Sequence, residues 1–198
     1  MQTVPQVILG RPATYEDLIR VPGHLIAEIV DGELWTSPRP APTHAWASST
    51  LAGLLNPAFS HGRGGPGGWW IIAEPEIHLR TDVLVPDFAG WRRERMSALP
   101  QTAFFPLAPD WVCEIISPST ARLDRGRKLR IYARESVRHA WIIDPFAQTI
   151  EVLRLERSRW VLASTYDGHA IVRIEPLDAI DLELPLLWGD PVPAGSDK

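Results

Sequence analysis

Two carboxylates interrupt apolar stretches of the sequence, and both are candidates for chemistry. Glu114 lies within Trp-Val-Cys-Glu-Ile-Ile, residues 111–116, and Asp87 lies within Val-Leu-Val-Pro-Asp-Phe-Ala, residues 83–89. Short apolar runs bounded by turn residues are typical of strands covered on both faces. An ionised carboxylate there must be paired, protonated or bonded to a metal, because unpaired burial costs several kcal/mol or more. Taken alone, Asp87 is equally well explained as a strand-end carboxylate that accepts a hydrogen bond from a backbone amide.

A lysine follows in a segment that predicts a helix from Leu123 to Glu135. Asp124, Lys128 and Tyr132 share one stripe of that helix. Two carboxylates on neighbouring strands and a cation from the next helix suit metal-assisted hydrolysis of a phosphodiester. Mg²⁺ takes hard oxygen ligands, and a lysine can orient the nucleophile or stabilise the transition state. For Lys128 taken alone, the ordinary interpretation is a side chain whose ammonium reaches solvent.

Periodicity and turn residues predict the elements that must position these groups. They are a helix capped by Thr14 and running to Arg20, a hairpin from His24 to Thr36 turning at Asp31-Gly32, a helix capped by Thr43 and running to Pro57, strands at residues 69–73, 76–80 and 83–91, a strand–helix–strand unit from Trp111 to Asp144, and an antiparallel meander from Thr149 to Leu187. The pattern predicts an α/β (α+β) fold, in which a mixed central sheet is flanked by helices and carries extra antiparallel strands at the C-terminus. The glycine-rich residues 61–68 lack the ending of a phosphate-binding loop and are interpreted as a connection.

Composition predicts one domain over residues 1–190, with residues 191–198 as a disordered tail. No apolar run is long enough to span a bilayer and the N-terminus lacks a signal-peptide pattern, so we expect a cytoplasmic protein without a membrane partner. The lone Cys113 agrees with a reducing compartment. The net charge of −4 argues against a surface that is basic throughout.

Several motifs occur together in a fixed order. They are Pro86-Asp87, Glu-x-x-Ser-Pro-Ser-Thr from Glu114, Lys-x-x-x-Tyr from Lys128, Trp-x-x-Asp-Pro from Trp141 and, nearer the start, Ala-Glu-Ile-Val-Asp-Gly-Glu-Leu-Trp from Ala27. This set resembles the Uma-two family of restriction-endonuclease-type proteins, over about Thr14 to Leu187. That family looks like a branch of the PD-(D/E)XK nuclease fold, so the resemblance implies a restriction-endonuclease-like domain.

The resemblance also implies roles for individual residues. Asp87 and Glu114 match the two acidic positions and would hold Mg²⁺ or Mn²⁺, with the main-chain carbonyl of Ile115 completing the shell. The motif's lysine is missing, because Ile116 stands in its place. Lys128 would bring its ammonium to the same space from the following helix, so Asp87, Glu114 and Lys128 are the expected catalytic residues.

Four auxiliary candidates carry weaker signals: Glu28, His44, Glu76 and Tyr132. Glu28 lies in a segment that matches the family, and Glu76 would lie opposite Asp87 if the intervening turn centres between residues 81 and 82. Either would extend the acidic cluster. His44 could contact a phosphate or assist proton transfer, although a capping or surface role is as ordinary. Tyr132 could hold the site together by a hydrogen bond.

Basic residues are dense between residues 122 and 138 and again at residues 92–95. The candidate phosphate contacts are Arg92, Arg93, Arg95, Arg125, Arg127 and Arg130, and a solvated charged face is as ordinary an explanation for any one of them. DNA is the expected partner. Cutting both strands would call for a homodimer, for which the tryptophans offer interface anchors.

Two hypotheses follow for the function. The leading one is a Mg²⁺-dependent endonuclease acting on DNA. The alternative is a catalytically inactive member of the fold that binds nucleic acid or a protein partner. The acidic net charge and Ile116 favour the alternative, whereas the joint presence of Asp87, Glu114 and Lys128 argues against it.

Overall fold

A computed structural model describes residues 6–7 and 9–190 of the chain. The tail predicted to be disordered, residues 191–198, lies outside the described residues. The strands are β1 (Gln6–Val7), β2 (Leu25–Val30), β3 (Glu33–Pro38), β4 (Trp69–Ala73), β5 (Ile77–Leu79), β6 (Asp82–Leu84), β7 (Phe88–Arg92), β8 (Trp111–Ile115), β9 (His139–Asp144), β10 (Thr149–Glu156), β11 (Arg159–Asp167), β12 (Ile171–Val172) and β13 (Leu182–Glu183). The α-helices are α1 (Tyr15–Ile19), α2 (Pro42–Leu55), α3 (Leu129–Arg134) and α4 (Leu184–Trp188), and π-helical turns at Asn56–Ser60 and Leu123–Lys128 extend α2 and precede α3.

The central sheet has six strands in the order β11-β10-β9-β8-β7-β4. Strands β8 and β9 are parallel, and the other neighbours pair antiparallel. All five residues of β8 are buried, as expected for a strand covered on both faces. The strand–helix–strand unit and the mixed sheet are therefore confirmed.

A second sheet of five strands has the order β1-β3-β2-β6-β5 and contains the predicted hairpin. That hairpin turns at Asp31 and Gly32, both of which have positive φ. The continuous strand predicted for residues 83–91 is wrong, because the chain breaks between β6 and β7. Pro86 has no N–H to donate to a ladder, so the chain leaves one sheet there and enters the other. Asp87 consequently lies where the chain crosses between the two sheets.

The helices differ from prediction at their ends. Thr14 caps α1 in a capping box with Asp17, as predicted. The predicted Thr43 cap is wrong, since the cap is Ala41 and α2 begins two residues earlier than expected, at Pro42, whose missing N–H costs nothing in a first turn. The predicted meander to Leu187 is also wrong at its end, where Leu184–Trp188 forms α4 and packs against α2.

Separate apolar clusters cover the two faces of the central sheet. On one face α2 and α4 pack on the side chains of Trp111, Cys113 and Trp141. On the other face α3 packs on Val112 and Ile142. Because strand side chains alternate between faces, Glu114 shares the α3 face with Val112.

Gly90 sits in the middle of β7 between two tryptophan rings. A Cβ at this position would lie 3.0 Å from Trp111 Cε3 and 3.2 Å from Trp69 Cε3. We predict that Gly90→Ala lowers the free energy of unfolding by about 1–3 kcal/mol, because one ring must shift in a packed core.

The matched control for this substitution is Gly53→Ala on the exposed face of α2, where an added Cβ meets nothing within 4 Å. That change should raise stability by about 0.5–1 kcal/mol, as alanine does in a helix interior. Urea unfolding of the two variants measures both effects, and equal shifts in the same direction would contradict the packing assigned to Gly90.

Candidate active site

Asp87 joins three parts of the chain at the crossing between the sheets. Its Oδ2 accepts a hydrogen bond of 2.7 Å from the backbone amide of Ile115 at the end of β8. Its Oδ1 lies 2.9 Å from Nε2 of His44, which comes from the first turn of α2. The ordinary explanation of Asp87, a bond to a backbone amide, therefore holds for one oxygen, while the other faces a partly buried histidine.

Glu114 is buried and fully bonded. Its Oε1 accepts a hydrogen bond of 2.7 Å from the hydroxyl of Tyr132 and lies 3.0 Å from Nζ of Lys128. Its Oε2 lies 3.1 Å from the same nitrogen. The predicted bonding role of Tyr132 is present, and it acts on Glu114.

Lys128 does not reach solvent, since its side chain is 3% exposed. Its Nζ lies 3.0 Å from Glu28 Oε1 and 3.5 Å from Asp124 Oδ1, in addition to its contacts with Glu114. A longer contact of 3.4 Å joins Nζ to the carbonyl of Val85. The structure thus gathers Glu28, Glu114 and Lys128 as the sequence predicted.

Asp124 is a member of this cluster that the sequence analysis did not assign to the site. It lies one helical turn before Lys128, and this spacing was visible in the sequence. The sequence does not show that this stripe of the helix is buried. The π-helical turn at Leu123–Lys128 sets which of its side chains face inward, and such turns have no clear sequence signal.

Burial and mutual repulsion dominate the ionisation of the cluster. Burial raises the pKa of Glu114 well above its ordinary value against the opposing effect of Lys128, and it raises the pKa of Asp124 to about 6. Burial alone would lower the pKa of Lys128. The charges of Glu114 and Glu28 outweigh burial and raise this pKa well above its ordinary value. Burial likewise lowers the pKa of His44, and Asp87 more than compensates. Lys128 is therefore a permanent cation in an acidic environment.

The site borders a cavity that four carboxylates line: Glu28, Asp87, Glu114 and Asp124. The cations that line it are Lys128, Arg39 at its mouth and, when protonated, His44. At the floor, where Lys128 lies, carboxyl groups outnumber cations, and hard oxygen donors of this kind suit a divalent cation. Within residues 6–7 and 9–190, no group of three or more His, Cys, Asp or Glu side chains is arranged to hold an ion. Mg²⁺ takes only one or two protein carboxylates, so the ligand set of Asp87, Glu114 and the Ile115 carbonyl stays a prediction.

Glu76 is not part of the site, and its predicted position is wrong. Strand β5 pairs Ile77 with Leu84, so Glu76 does not face Asp87. The turn falls one residue earlier than expected, at Arg80, which has a φ of 58°. Glu76 instead accepts a hydrogen bond from the Tyr15 hydroxyl at 2.9 Å and lies 2.7 Å from His78 Nε2.

The candidate phosphate contacts lie in two groups, and their role stays a prediction. At the far end of β7 from Asp87, Arg92 and Arg93 lie over the rings of Trp69 and Trp70, and Arg95 pairs with Asp110 at 2.7 Å. Around α3, each predicted arginine contacts a carboxylate: Arg125 with Glu151, Arg127 with Glu33 and Arg130 with Asp31. Binding a phosphate with this second group would first require an ion pair to break.

The site opens into a cavity of about 370 Å³. Besides the acidic cluster, it is lined by His44, the loop Ser117–Thr120, Arg39 and Phe146. Sequence reasoning did not assign Arg39 or Phe146 to the site, although Phe146 directly follows the Trp-x-x-Asp-Pro motif.

The pKa of Asp124 predicts a pH effect on stability. In the folded protein it is about 6, against an ordinary value of 3.8, so the folded state holds a proton that the unfolded state has lost. The stability from this group is complete below about pH 4 and is lost as the pH rises through about 6. Without divalent cations, the free energy of unfolding of wild type minus that of Asp124→Asn should therefore fall between pH 4 and pH 6.5.

Urea unfolding in EDTA across this pH range measures that difference. Asp178→Asn, at an exposed carboxylate, is the control and should show no such fall. A difference that stays flat or rises with pH would contradict the burial of Asp124 beside other carboxylates.

Comparison with known proteins gives three findings. The family model described as "Uma2: Putative restriction endonuclease" matches residues 12–186. A crystal structure from Anabaena variabilis ATCC 29413, described as a "putative nuclease belonging to DUF820", superposes with a TM-score of 0.73 at 21% identity, covering 90% of this chain and 98% of that one. No curated protein matched. The superposition shows that the two chains share a fold.

Separately, none of the described helices is long and apolar enough to cross a membrane.

Proposed function

We propose that this chain, which belongs to the Uma2 family of "putative restriction endonucleases", hydrolyses phosphodiester bonds in DNA with the help of bound Mg²⁺ or Mn²⁺. The observation that carries the proposal is the position of Lys128. Its ammonium comes from the helix after β8 and meets Glu114 at 3.0 Å in the cavity that Asp87 also lines. A lysine two residues after Glu114 is not required for this geometry.

Asp87, Glu114 and the Ile115 carbonyl would hold the ion. When bound, it lowers the pKa of a water ligand and offsets charge on the scissile phosphate. The contacts of Lys128 with Val85 and Asp124, at 3.4 and 3.5 Å, are its longest, so they are the ones that a water or a phosphate oxygen would replace. The ammonium would then stabilise the anion that develops in the transition state.

The remaining side chains position these groups. Glu28 accepts a hydrogen bond of 2.8 Å from the Val85 amide and lies 3.0 Å from Nζ of Lys128, which ties the lysine to the chain just before Asp87. Tyr132 fixes Glu114 through a hydrogen bond to its Oε1. His44, 2.9 Å from Asp87 and with a side chain 13% exposed, is a titratable group at the cavity that could donate or accept a proton.

Carboxylates already surround the ammonium of Lys128. This also favours a second candidate, a nuclease-fold protein that binds nucleic acid or a protein partner without cutting. In that case the ion cluster is purely structural.

If the protein does cut both strands of a duplex, two copies are needed, and a homodimer becomes part of the proposal.

A cleavage assay separates the two candidates. Wild type incubated with supercoiled and single-stranded circular DNA should cut in Mg²⁺ or Mn²⁺ and not in EDTA. Asp87→Asn, Glu114→Gln and Lys128→Met should each reduce the rate about 100-fold or more, as expected when a group that stabilises the transition state is removed. Gel electrophoresis over time measures the rate.

Glu76→Gln is the matched control, because this carboxylate lies outside the site and should not affect cutting. Circular dichroism checks that each variant is folded. Equal traces of cutting by wild type and all site variants would indicate a contaminant and contradict the nuclease assignment.

A further inference from the structure

The side chains at the mouth of the cavity are exposed, whereas those at its floor are buried. At the floor, the side chains of Lys128 and Glu114 are 3% and 2% exposed. At the mouth, the side chain of Arg39 is 61% exposed and Phe146 is 64% exposed. Both residues line the same cavity as the acidic cluster. A cation and an aromatic ring thus both line the exposed part of the cavity, where a substrate would enter.

Phe146 is held in its exposed position. It lies in the turn after β9, and Oδ1 of Asp144 accepts hydrogen bonds of 3.0 Å from the amides of both Phe146 and Ala147. Pro145 fixes the backbone between the carboxylate and the ring. The Trp-x-x-Asp-Pro motif therefore places a large apolar ring in solvent, and this exposure contributes nothing to the core.

Arg39 is the cation of the mouth. It lies just after β3, where its contacts are a distant one of 3.9 Å with Glu74 and a hydrogen bond of 3.3 Å to the carbonyl of Gly23. By contrast, the arginines around α3 are paired with carboxylates of the sheets. Arg39 can turn to a phosphate at the cavity without breaking a close ion pair.

We propose that Phe146 and Arg39 form an entry site for an unpaired nucleotide, so that the substrate is single-stranded DNA or an unpaired segment of it; this rests on the proposed nuclease function. Phe146 stacks on the base, and Arg39 contacts the adjacent phosphate as the backbone passes towards Lys128. Within a duplex both faces of each base are already stacked, so the ring has a partner only where bases are unpaired.

The charge distribution supports the same choice. A protein that binds duplex DNA neutralises many phosphates with a broad basic surface. This chain has a net charge of −4, and the basic segment around α3 is largely ion-paired. A flexible strand needs fewer phosphate contacts, because aromatic stacking supplies part of its affinity.

Fluorescence anisotropy tests the proposal, with Ca²⁺ in place of Mg²⁺. The probes are a 5′-labelled 12-nucleotide oligothymidylate and a blunt 12-base-pair duplex. Wild type should bind the single strand more tightly than the duplex. Phe146→Leu should weaken single-strand binding about five-fold or more, the effect of losing one stacked base, whereas Phe146→Tyr keeps a ring and should restore it.

Arg39→Ala should weaken single-strand binding and flatten its dependence on salt. The controls are Ile171→Ala, at a residue 65% exposed, and Arg138→Ala, at an exposed arginine just before β9 and so at the opposite end of that strand from Phe146. Neither should change binding. Because both mouth residues are exposed, all of these variants are expected to fold.

Tighter binding of the duplex, or equal affinities for Phe146→Leu and wild type, would overturn the proposal even if the protein cuts DNA. Ring-dependent binding of the single strand would support it even if no cutting occurs. The binding experiment and the cleavage assay therefore test the entry site and the nuclease function separately, and failure of one can be told from failure of the other.

Discussion

The buried ammonium of Lys128 is the interaction around which the molecule is arranged. Three carboxylates surround it, from β2, β8 and the π-helical turn that leads into α3. Removing one partner from such a cluster costs about 3–5 kcal/mol, because an uncompensated charge stays buried. The cluster therefore joins the five-stranded sheet, the six-stranded sheet and the helix between β8 and β9. A cluster of apolar residues could join them as firmly.

The break at Pro86 is the second constraint. It moves the chain from β6 in one sheet to β7 in the other and leaves Asp87 at the crossing. There Asp87 binds the amide of Ile115, the residue after Glu114, so the two carboxylates are fixed through the backbone of β8. Lys128 then approaches from the helix side. Ile116, at the position where the resemblance led us to expect a lysine, is an apolar side chain in the core against α3.

Each residue of this site was predictable from the sequence, or was not, for a physical reason of its own. Asp87, Glu114 and Lys128 were identifiable because charges in apolar segments need partners, and their order resembled a known motif. The place of Glu76 depended on a turn displaced by one residue, and a shift of that size changes which side chains face each other. The pairing of Arg125, Arg127 and Arg130 was not predictable, since their acidic partners lie on strands distant in sequence. Asp124 was missed because its burial depends on a π-helical turn.

Divalent-cation binding tests the central claim most directly, since it needs no DNA substrate. Isothermal titration calorimetry with Mn²⁺ should find one site per chain in wild type. Binding should be lost or greatly weakened in Asp87→Asn and Glu114→Gln and retained in Glu76→Gln. Binding of the ion with equal affinity by all four proteins, or by none of them, would contradict the assignment of this acidic cavity as a metal-dependent active site.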